Sequence, residues 1–128
     1  MRVLLDTHTL LWAVLSQKSL SRRAAAIIAN PSNEILVSAA SAWEIATKVH
    51  LGKLPGAELL ERDFFDLMDA AGYVLLSIDT AAALRAGRFA SQHRDPFDRV
   101  LAAQAIAEDI PIISTDMQLD SFGVRRIW

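Results

Sequence analysis

Residues 1–15 read MRVLLDTHTLLWAVL, and this stretch indicates how the chain folds. The apolar run at residues 2–5 predicts a short strand, and a helical segment is predicted at residues 7–15. Asp6 lies at the junction between them. Parallel α/β sheets bind ligands outside the carboxyl ends of their strands, so Asp6 is a candidate site residue.

The alternation of strand and helix continues through the rest of the chain. Further strands are predicted at residues 34–37, 73–78, 112–114 and, as a possible edge strand, 124–127. Helices are predicted at residues 21–29, 39–51, 57–71, 81–92 and 97–108. Strands alternating with helices predict a three-layer α/β/α fold around a mostly parallel sheet of four to five strands. With no repeat or linker, residues 1–128 are expected to form a single domain.

Composition excludes several classes of protein. Hydrophobic residues make up 52% of the 128 residues, against ~45–50% in typical soluble domains, which fits a well-covered central sheet. The absence of cysteine excludes disulfides, zinc–thiolate sites and cysteine nucleophiles, and it favours a reducing cytoplasmic location. No segment approaches the ~18 apolar residues of a membrane span, so no membrane partner is expected. The net charge of −2 gives no overall attraction to nucleic acid.

Four acidic residues fall where this fold returns distant segments to one edge of the sheet. These are Asp6, Glu44, Asp98 and Asp116. Two carboxylates ~4 Å apart repel each other by about 4 kcal/mol at an effective dielectric constant of ~20, so a shared pocket requires a cation. All-oxygen ligands favour Mg²⁺ or Mn²⁺ over zinc. The sequence therefore predicts a divalent metal site, with one or two ions left open.

Each acid also has a plainer explanation. Asp6 is placed to cap the following helix, Asp116 to form a turn, and Glu44 to pair with Lys48 at i+4 on a helix surface. Such a surface pair contributes only ~0.3–0.5 kcal/mol. The joint placement of all four acids favours the site, because independent caps and turns have no reason to meet at one end of a sheet.

The segment Asp95-Pro96-Phe97-Asp98 reads as the start of a helix. Asp95 is in the N-cap position and Pro96 in the first helical position, which leaves Asp98 at a capping-box position. Asp98 also lies on the same face of this helix as Leu101, Ala102 and Ala105, and this face is expected to point to the sheet. We therefore expect Asp95 to cap the helix, and Asp98 to have a role beyond capping.

Four segments resemble those of PIN-domain ribonucleases, and more narrowly of VapC-like toxins from type II toxin–antitoxin pairs. They are LLDTH at 4–8, SAASAWEI at 38–45, HRDPFDR at 93–99 and STD at 114–116. The similarity keeps this order along the whole chain, including the closing GVRRIW. It implies a PIN-like α/β/α fold and a single PIN domain. It also implies a Mg²⁺- or Mn²⁺-dependent endoribonuclease acting on RNA, a cognate antitoxin and a homodimer.

The resemblance also bears on individual positions. Asp6, Glu44, Asp98 and Asp116 match the acidic quartet of the family, as catalytic residues and metal ligands. Asp95 matches a subgroup feature, which leaves it open between ligand and cap.

Other polar residues near these acids are candidates for supporting roles. Thr7, Ser114 and Thr115 are placed to hydrogen-bond the carboxylates and orient them. His93, Arg94, Arg99 and Lys48 are candidates for contacts with RNA phosphates, with solvated surface positions as the alternative. Trp12 and Trp43 are expected in the core or a dimer interface, and His8 is not expected to be catalytic.

Two other functional classes share this architecture. A Mg²⁺-binding receiver-like signalling domain would need an adjacent acidic pair after the first strand and a lysine after residues 112–113, and both are absent. A dehalogenase-type phosphatase would need an aspartate where His8 stands. A non-catalytic interaction module remains as the alternative, although the presence of all four acids argues against a pure scaffold.

Overall fold

The computed structural model describes residues 1–128 and contains one five-stranded sheet. The strands are β1 (Arg2–Leu5), β2 (Glu34–Ser38), β3 (Val74–Leu76), β4 (Ile112–Ile113) and β5 (Arg126–Ile127). All four pairings are parallel, and the strand order is β3-β2-β1-β4-β5. The predicted α/β class and the predicted parallel sheet are confirmed.

Seven α-helices connect and cover these strands. They are α1 (Thr7–Leu15), α2 (Arg22–Ala29), α3 (Ala39–His50), α4 (Glu58–Arg62), α5 (Phe64–Ala71), α6 (Thr80–Arg88) and α7 (Pro96–Glu108). Two 3₁₀ helices, Gln17–Ser19 and Met117–Phe122, complete the chain. None of the helices is both long and apolar enough to cross a membrane.

The two faces of the sheet are buried under different helices. Successive side chains of a strand point to opposite faces. Accordingly, Val3 and Leu5 pack in one cluster with residues of α1 and α5, such as Leu10 and Met68. Leu4 packs in a second cluster, whose other members include Leu36, Leu101, Ala102 and Leu119. The three predicted layers follow from this division.

Strand β1 lies at the point where the order of the sheet reverses. It pairs with β2 on one side and with β4 on the other, and Val3, Leu4 and Leu5 are fully buried. The residues that follow β1 and β4 therefore leave the sheet side by side, at the edge where parallel α/β sheets bind ligands.

The predicted helix at residues 57–71 is wrong in one respect, because the structure breaks it at Asp63 into α4 and α5. Asp63 has φ −104° and ψ 28°, outside helical geometry, and its side chain pairs with Arg62. Leu60 and Met68 are buried on either side of the break, whereas Leu59 is exposed. The apolar stripe read from the sequence therefore does not continue through one straight helix.

The predicted helix at residues 81–92 is also too long, because α6 ends at Arg88. The guanidinium of Arg99 on α7 accounts for this end. It donates to the carbonyl oxygen of Ala86 in α6 at 2.8 Å, and to those of Phe89 at 2.6 Å and His93 at 2.8 Å in the non-helical segment 89–95. These bonds satisfy carbonyls that would otherwise require another turn of helix.

Smaller corrections concern the ends of strands. β3, β4 and β5 are shorter than predicted, at three, two and two residues. The turn after β4 is a 3₁₀ helix that no sequence pattern indicated, and Asp116 is its N-cap.

Candidate metal centre

The carboxyl edge of the sheet carries a small polar cavity of about 120 Å³, called here the acidic cavity. It has no hydrophobic lining residue, and its walls are Asp6, Thr7, His8, Glu44, Lys48, Asp95, Asp98, Thr115 and Asp116. The structure therefore brings together the four acids singled out in the sequence, with Asp95 beside them.

Asp6 is buried, and both of its carboxylate oxygens accept hydrogen bonds. Oδ1 accepts from the backbone N–H of Thr9 at 2.7 Å, so Asp6 is the N-cap of α1. Oδ2 accepts from the hydroxyl of Ser114, which follows β4. Burial raises the pKa of Asp6, and the bonds from Ser114 and Thr9 oppose that rise. Capping and lining the cavity are compatible in this residue.

Glu44 lies on α3, whose N-cap is Ser38 at the end of β2. The side chain of Glu44 is only 7% exposed, and its Oε2 accepts a hydrogen bond from Nζ of Lys48 at 2.5 Å. The i,i+4 pair expected from the sequence therefore exists, but it lies in the wall of the cavity and not on an open surface. Lys48 places a positive charge beside the acids and reduces their mutual repulsion.

Asp95 caps α7, as expected from the sequence, and Asp98 does not. Oδ1 of Asp95 accepts from the backbone N–H groups of Phe97 at 2.9 Å and Asp98 at 3.3 Å, which makes Asp95 the cap of α7. The carboxylate of Asp98 makes no cap and instead has Oδ2 2.7 Å from Nε2 of His93. Asp95 also lines the acidic cavity, so its cap does not exclude contact with a cation.

Burial, as the largest cause, raises the pKa of Asp98 to about 6. The hydrogen bond from His93 opposes this rise, while the negative charges of Asp95 and Asp116 add to it. A carboxyl group near other acids is poorly stabilised as an anion without a compensating positive charge. A cation bound beside Asp98 would therefore stabilise its ionised form.

Asp116 is held by the turn after β4. Its backbone N–H donates to the hydroxyl of Ser114 at 2.9 Å, and its Oδ1 accepts from the N–H of Gln118 at 2.9 Å. Asp116, Asp98 and His93 each offer one ligand atom, and these three atoms lie within 4.8 Å of one another. The Ser114 hydroxyl thus hydrogen-bonds to the Asp6 carboxylate and to the backbone N–H of Asp116.

The predicted supporting hydroxyl groups differ in what they contact. Ser114 donates to Asp6, while Thr7 donates to the hydroxyl of Ser41 at 3.0 Å. Thr115 lines the cavity without a hydrogen bond to a carboxylate. Sequence reasoning missed Thr9, whose N–H binds Asp6, although its place three residues after an aspartate N-cap is the usual signal for this bond.

The predicted phosphate-binding residues also differ in their surroundings. Arg94 is exposed, and Lys48 lies at the cavity next to Glu44. His93 is half-buried against Asp98. The guanidinium of Arg99 is instead engaged with backbone carbonyls and lies 5.9 Å from the ring centres of Phe89 and Phe122. This arrangement is a structural contact and differs from the phosphate contact predicted for Arg99.

The two tryptophans discussed in the sequence lie in different environments. Trp12 packs against Trp128, with ring centres 5.6 Å apart, and is half-buried. Trp43 is 57% exposed and meets Phe97 edge-on at 4.8 Å. Trp43 therefore leaves a large apolar face on the surface near the acidic cavity.

The residues of this cavity fit a divalent cation. Its carboxylates converge without a hydrophobic lining residue, the imidazole of His93 lies against Asp98, and burial raises the pKa of both Asp6 and Asp98. Oxygen donors of this type bind Mg²⁺ and Mn²⁺. Asp6, Asp98 and Asp116 are the residues that would hold such an ion, with Glu44 beside them.

Fold and site together define a parallel α/β protein with an acidic centre at the reversal point of its sheet. The family profile described as "PIN domain" matches residues 3–124, and the chain therefore belongs to the PIN domain family. The resemblance noted in the sequence is confirmed at this level.

Particular relatives are similar over shorter stretches or at lower identity. Ribonuclease VapC16 of Mycobacterium tuberculosis (strain ATCC 25618 / H37Rv) is 48% identical over 56 residues, which are 44% of this chain and 40% of that protein. The match thus spans less than half of the length of that relative.

Solved structures extend the likeness in fold over almost the whole chain. VapBC2 from Rickettsia felis bound to a promoter DNA fragment aligns with a TM-score of 0.72 at 13% identity, covering 99% of this chain and 98% of that one. VapBC-1 from nontypeable Haemophilus influenzae aligns with a TM-score of 0.69 at 16% identity, covering 99% of this chain and 97% of that one. FitAcB from Neisseria gonorrhoeae aligns with a TM-score of 0.67 at 18% identity, covering 98% of this chain and 96% of that one. At these identities the likeness concerns the fold.

Proposed function

We propose that this protein is a metal-dependent endoribonuclease that hydrolyses RNA phosphodiester bonds. The observation that carries the proposal is the convergence of Asp6, Glu44, Asp98 and Asp116 on one small polar cavity. Membership of the PIN domain family and the local match to Ribonuclease VapC16 support RNA as the substrate. Mg²⁺ or Mn²⁺ is the proposed cofactor.

The protein's own residues prepare this cavity for a phosphodiester. A divalent cation bound there would lower the pKa of a water molecule and stabilise the extra negative charge of the transition state. Ser114 and Thr9 hold both oxygens of Asp6, so that carboxylate does not need to reorganise during the reaction. Lys48 and Arg94 supply positive charge at and near the cavity for phosphate oxygens.

Hydrolysis by water determines the products. Attack by water on the phosphorus, with cleavage of the P–O3′ bond and protonation of the leaving 3′-oxygen, leaves a 5′-phosphate and a 3′-hydroxyl, and it does not use the 2′-hydroxyl of the ribose. A ribonuclease that activates the 2′-hydroxyl instead forms a cyclic phosphate. The end groups of the products therefore distinguish the two mechanisms.

We also propose that the protein is the toxin of a toxin–antitoxin pair, with a cognate antitoxin and a second copy of itself as partners. The relatives support this, since one is a VapC ribonuclease and the similar folds occur in VapBC and FitAcB structures. A groove of about 380 Å³, lined mainly by apolar residues of α3, α5 and β3, adds support. Phe65 in this groove is 76% exposed, as expected for a surface that a partner covers. The proposed location is the cytoplasm.

Cleavage of an end-labelled RNA by the purified protein tests the enzymatic proposal. We expect cleavage with Mg²⁺ or Mn²⁺ and none after chelation, and a loss of at least ~10²-fold in Asp6→Asn and Asp98→Asn. Asp66→Asn, on the exposed face of α5, is the matched control and should cleave like the wild type. Undiminished cleavage by both cavity variants would contradict the proposal.

A further inference from the structure

The imidazole of His93 lies close enough to two acids of the cavity to bind the same cation. Nε2 of His93 lies 2.7 Å from Oδ2 of Asp98, and ligand atoms of His93, Asp98 and Asp116 all lie within 4.8 Å of one another. We propose that His93 is a nitrogen ligand of the cation held by Asp98 and Asp116, so that the site prefers Mn²⁺ to Mg²⁺. This inference rests on the metal-dependent function proposed above.

The distances in this group are those of ligands around one ion. Ligand atoms ~2.1 Å from a cation lie ~3.0 Å apart when they are at right angles and ~4.2 Å apart when they are opposite. The separation of 2.7 Å between His93 and Asp98 is close to the first value, and no two ligand atoms of the group are more than 4.8 Å apart. Small side-chain movements therefore suffice to bind a cation.

His93 is held in place by contacts that do not involve Asp98. The backbone N–H of His93 donates to the hydroxyl of Ser91 at 3.1 Å, and its backbone carbonyl oxygen accepts from Nη1 of Arg99 at 2.8 Å. Its ring packs against Phe122 with ring centres 5.7 Å apart, and the side chain is only 17% exposed. These contacts hold the backbone of this residue and limit the orientations of its ring.

An imidazole ligand changes the choice of ion. Mg²⁺ is bound through oxygen and gains little from a ring nitrogen, whereas first-row transition ions accept imidazole readily. Four carboxylates alone would not distinguish the two ions in this way. His93 thus changes the donor set from oxygen only to oxygen and nitrogen. In this proposal its imidazole binds the metal ion, whereas the sequence predicted a contact with an RNA phosphate.

A different role for His93 makes a different prediction. If the imidazole only donates a hydrogen bond to Asp98, its removal weakens the carboxylate as a ligand for Mg²⁺ and Mn²⁺ alike. His93→Gln preserves a donor group near Oδ2 of Asp98 and removes the ring nitrogen. The ratio of the two dissociation constants therefore separates a ligand from a supporting hydrogen bond.

Pulsed electron paramagnetic resonance of the full chain loaded with Mn²⁺ tests the proposal directly. The chain has only three histidines, His8, His50 and His93, so each can be replaced by glutamine in turn. We expect a ¹⁴N coupling from imidazole in the wild type, in His8→Gln and in His50→Gln, and its loss in His93→Gln. His50 is exposed on α3 and is the matched control, while His8 lines the acidic cavity.

Binding titrations of the same proteins provide a second readout. We expect His93→Gln to weaken Mn²⁺ binding by ~10-fold or more and Mg²⁺ binding much less, so that the preference for Mn²⁺ falls. The proposal is overturned by a wild type without ¹⁴N coupling, by a coupling that survives in His93→Gln, or by equal weakening of both ions. Cleavage of RNA without the coupling would overturn this inference alone. The coupling without cleavage would overturn the proposed function alone.

Discussion

The hydroxyl of Ser114 donates a hydrogen bond to the carboxylate of Asp6 across 108 positions of the chain. This contact exists because β1 and β4 are parallel neighbours, so the residues after them leave the sheet together. The same hydroxyl accepts the backbone N–H of Asp116 at 2.9 Å. Ser114 therefore links the central strand to two acids of the cavity.

Replacing Ser114 by alanine tests this link. Asp6 would lose the hydrogen bond to Oδ2 and the N–H of Asp116 would lose its acceptor, at a cost of ~1–3 kcal/mol in the free energy of unfolding. The pKa of Asp6 would rise further, because this bond opposes the effect of burial. Calorimetric titration should show weaker cation binding, with the exposed Ser32→Ala as control. Wild-type affinity in Ser114→Ala would show that Asp6 needs no such orientation.

Asp98→Asn should stabilise the metal-free protein at neutral and higher pH. The pKa of Asp98 is about 6 in the folded protein against an ordinary value of 3.8, so the unfolded chain binds fewer protons between these values. Stability of the wild type therefore falls as pH rises through this window, and the full cost is present above pH 6. After allowance for solvent screening, we expect the variant to gain ~1 kcal/mol at pH 8 and nothing below pH 3.8.

Urea denaturation of both proteins at pH 3.5 and pH 8, with chelator present, measures this difference. Addition of Mn²⁺ should reverse the order at pH 8, since only the wild type retains the carboxylate that binds the cation. A variant that is clearly less stable than the wild type without metal would mean that Asp98 has a structural role in the start of α7.

Arg99 is predicted to stabilise the segment that carries His93. Arg99→Lys keeps the charge but loses the planar group that reaches the separate carbonyls of Ala86, Phe89 and His93. We expect a loss of ~2–3 kcal/mol in the free energy of unfolding and faster hydrogen exchange at residues 89–95. The exposed Arg85→Lys on α6 is the control. Unchanged exchange in this segment would contradict the assignment.

Much of the fold follows from patterns that are local in sequence. The apolar run before Asp6, Ser38 at the start of α3 and the Asp95-Pro96 start of α7 each depend on neighbours within four residues. The placement of the acids could also be predicted, because the carboxyl ends of adjacent parallel strands meet by geometry.

The features that could not be predicted depend on distant partners. The end of α6 is determined by Arg99, whose acceptors are backbone carbonyls that carry no sequence signal. His93 reads as a basic residue in a loop, and only the path of segment 89–95 places its ring against Asp98. Thr7 lines the acidic cavity, but its hydroxyl donates to Ser41 on α3 and not to a carboxylate as predicted.

The end groups of the cleaved RNA show whether the acidic cavity promotes attack by water. Products formed with Mn²⁺ or Mg²⁺ can be analysed by mass spectrometry, using an RNA and a copy with a 2′-deoxy nucleotide at the cleaved position. We predict a 5′-phosphate and a 3′-hydroxyl from both substrates. A 2′,3′-cyclic phosphate, or no cleavage of the 2′-deoxy substrate, would contradict the account.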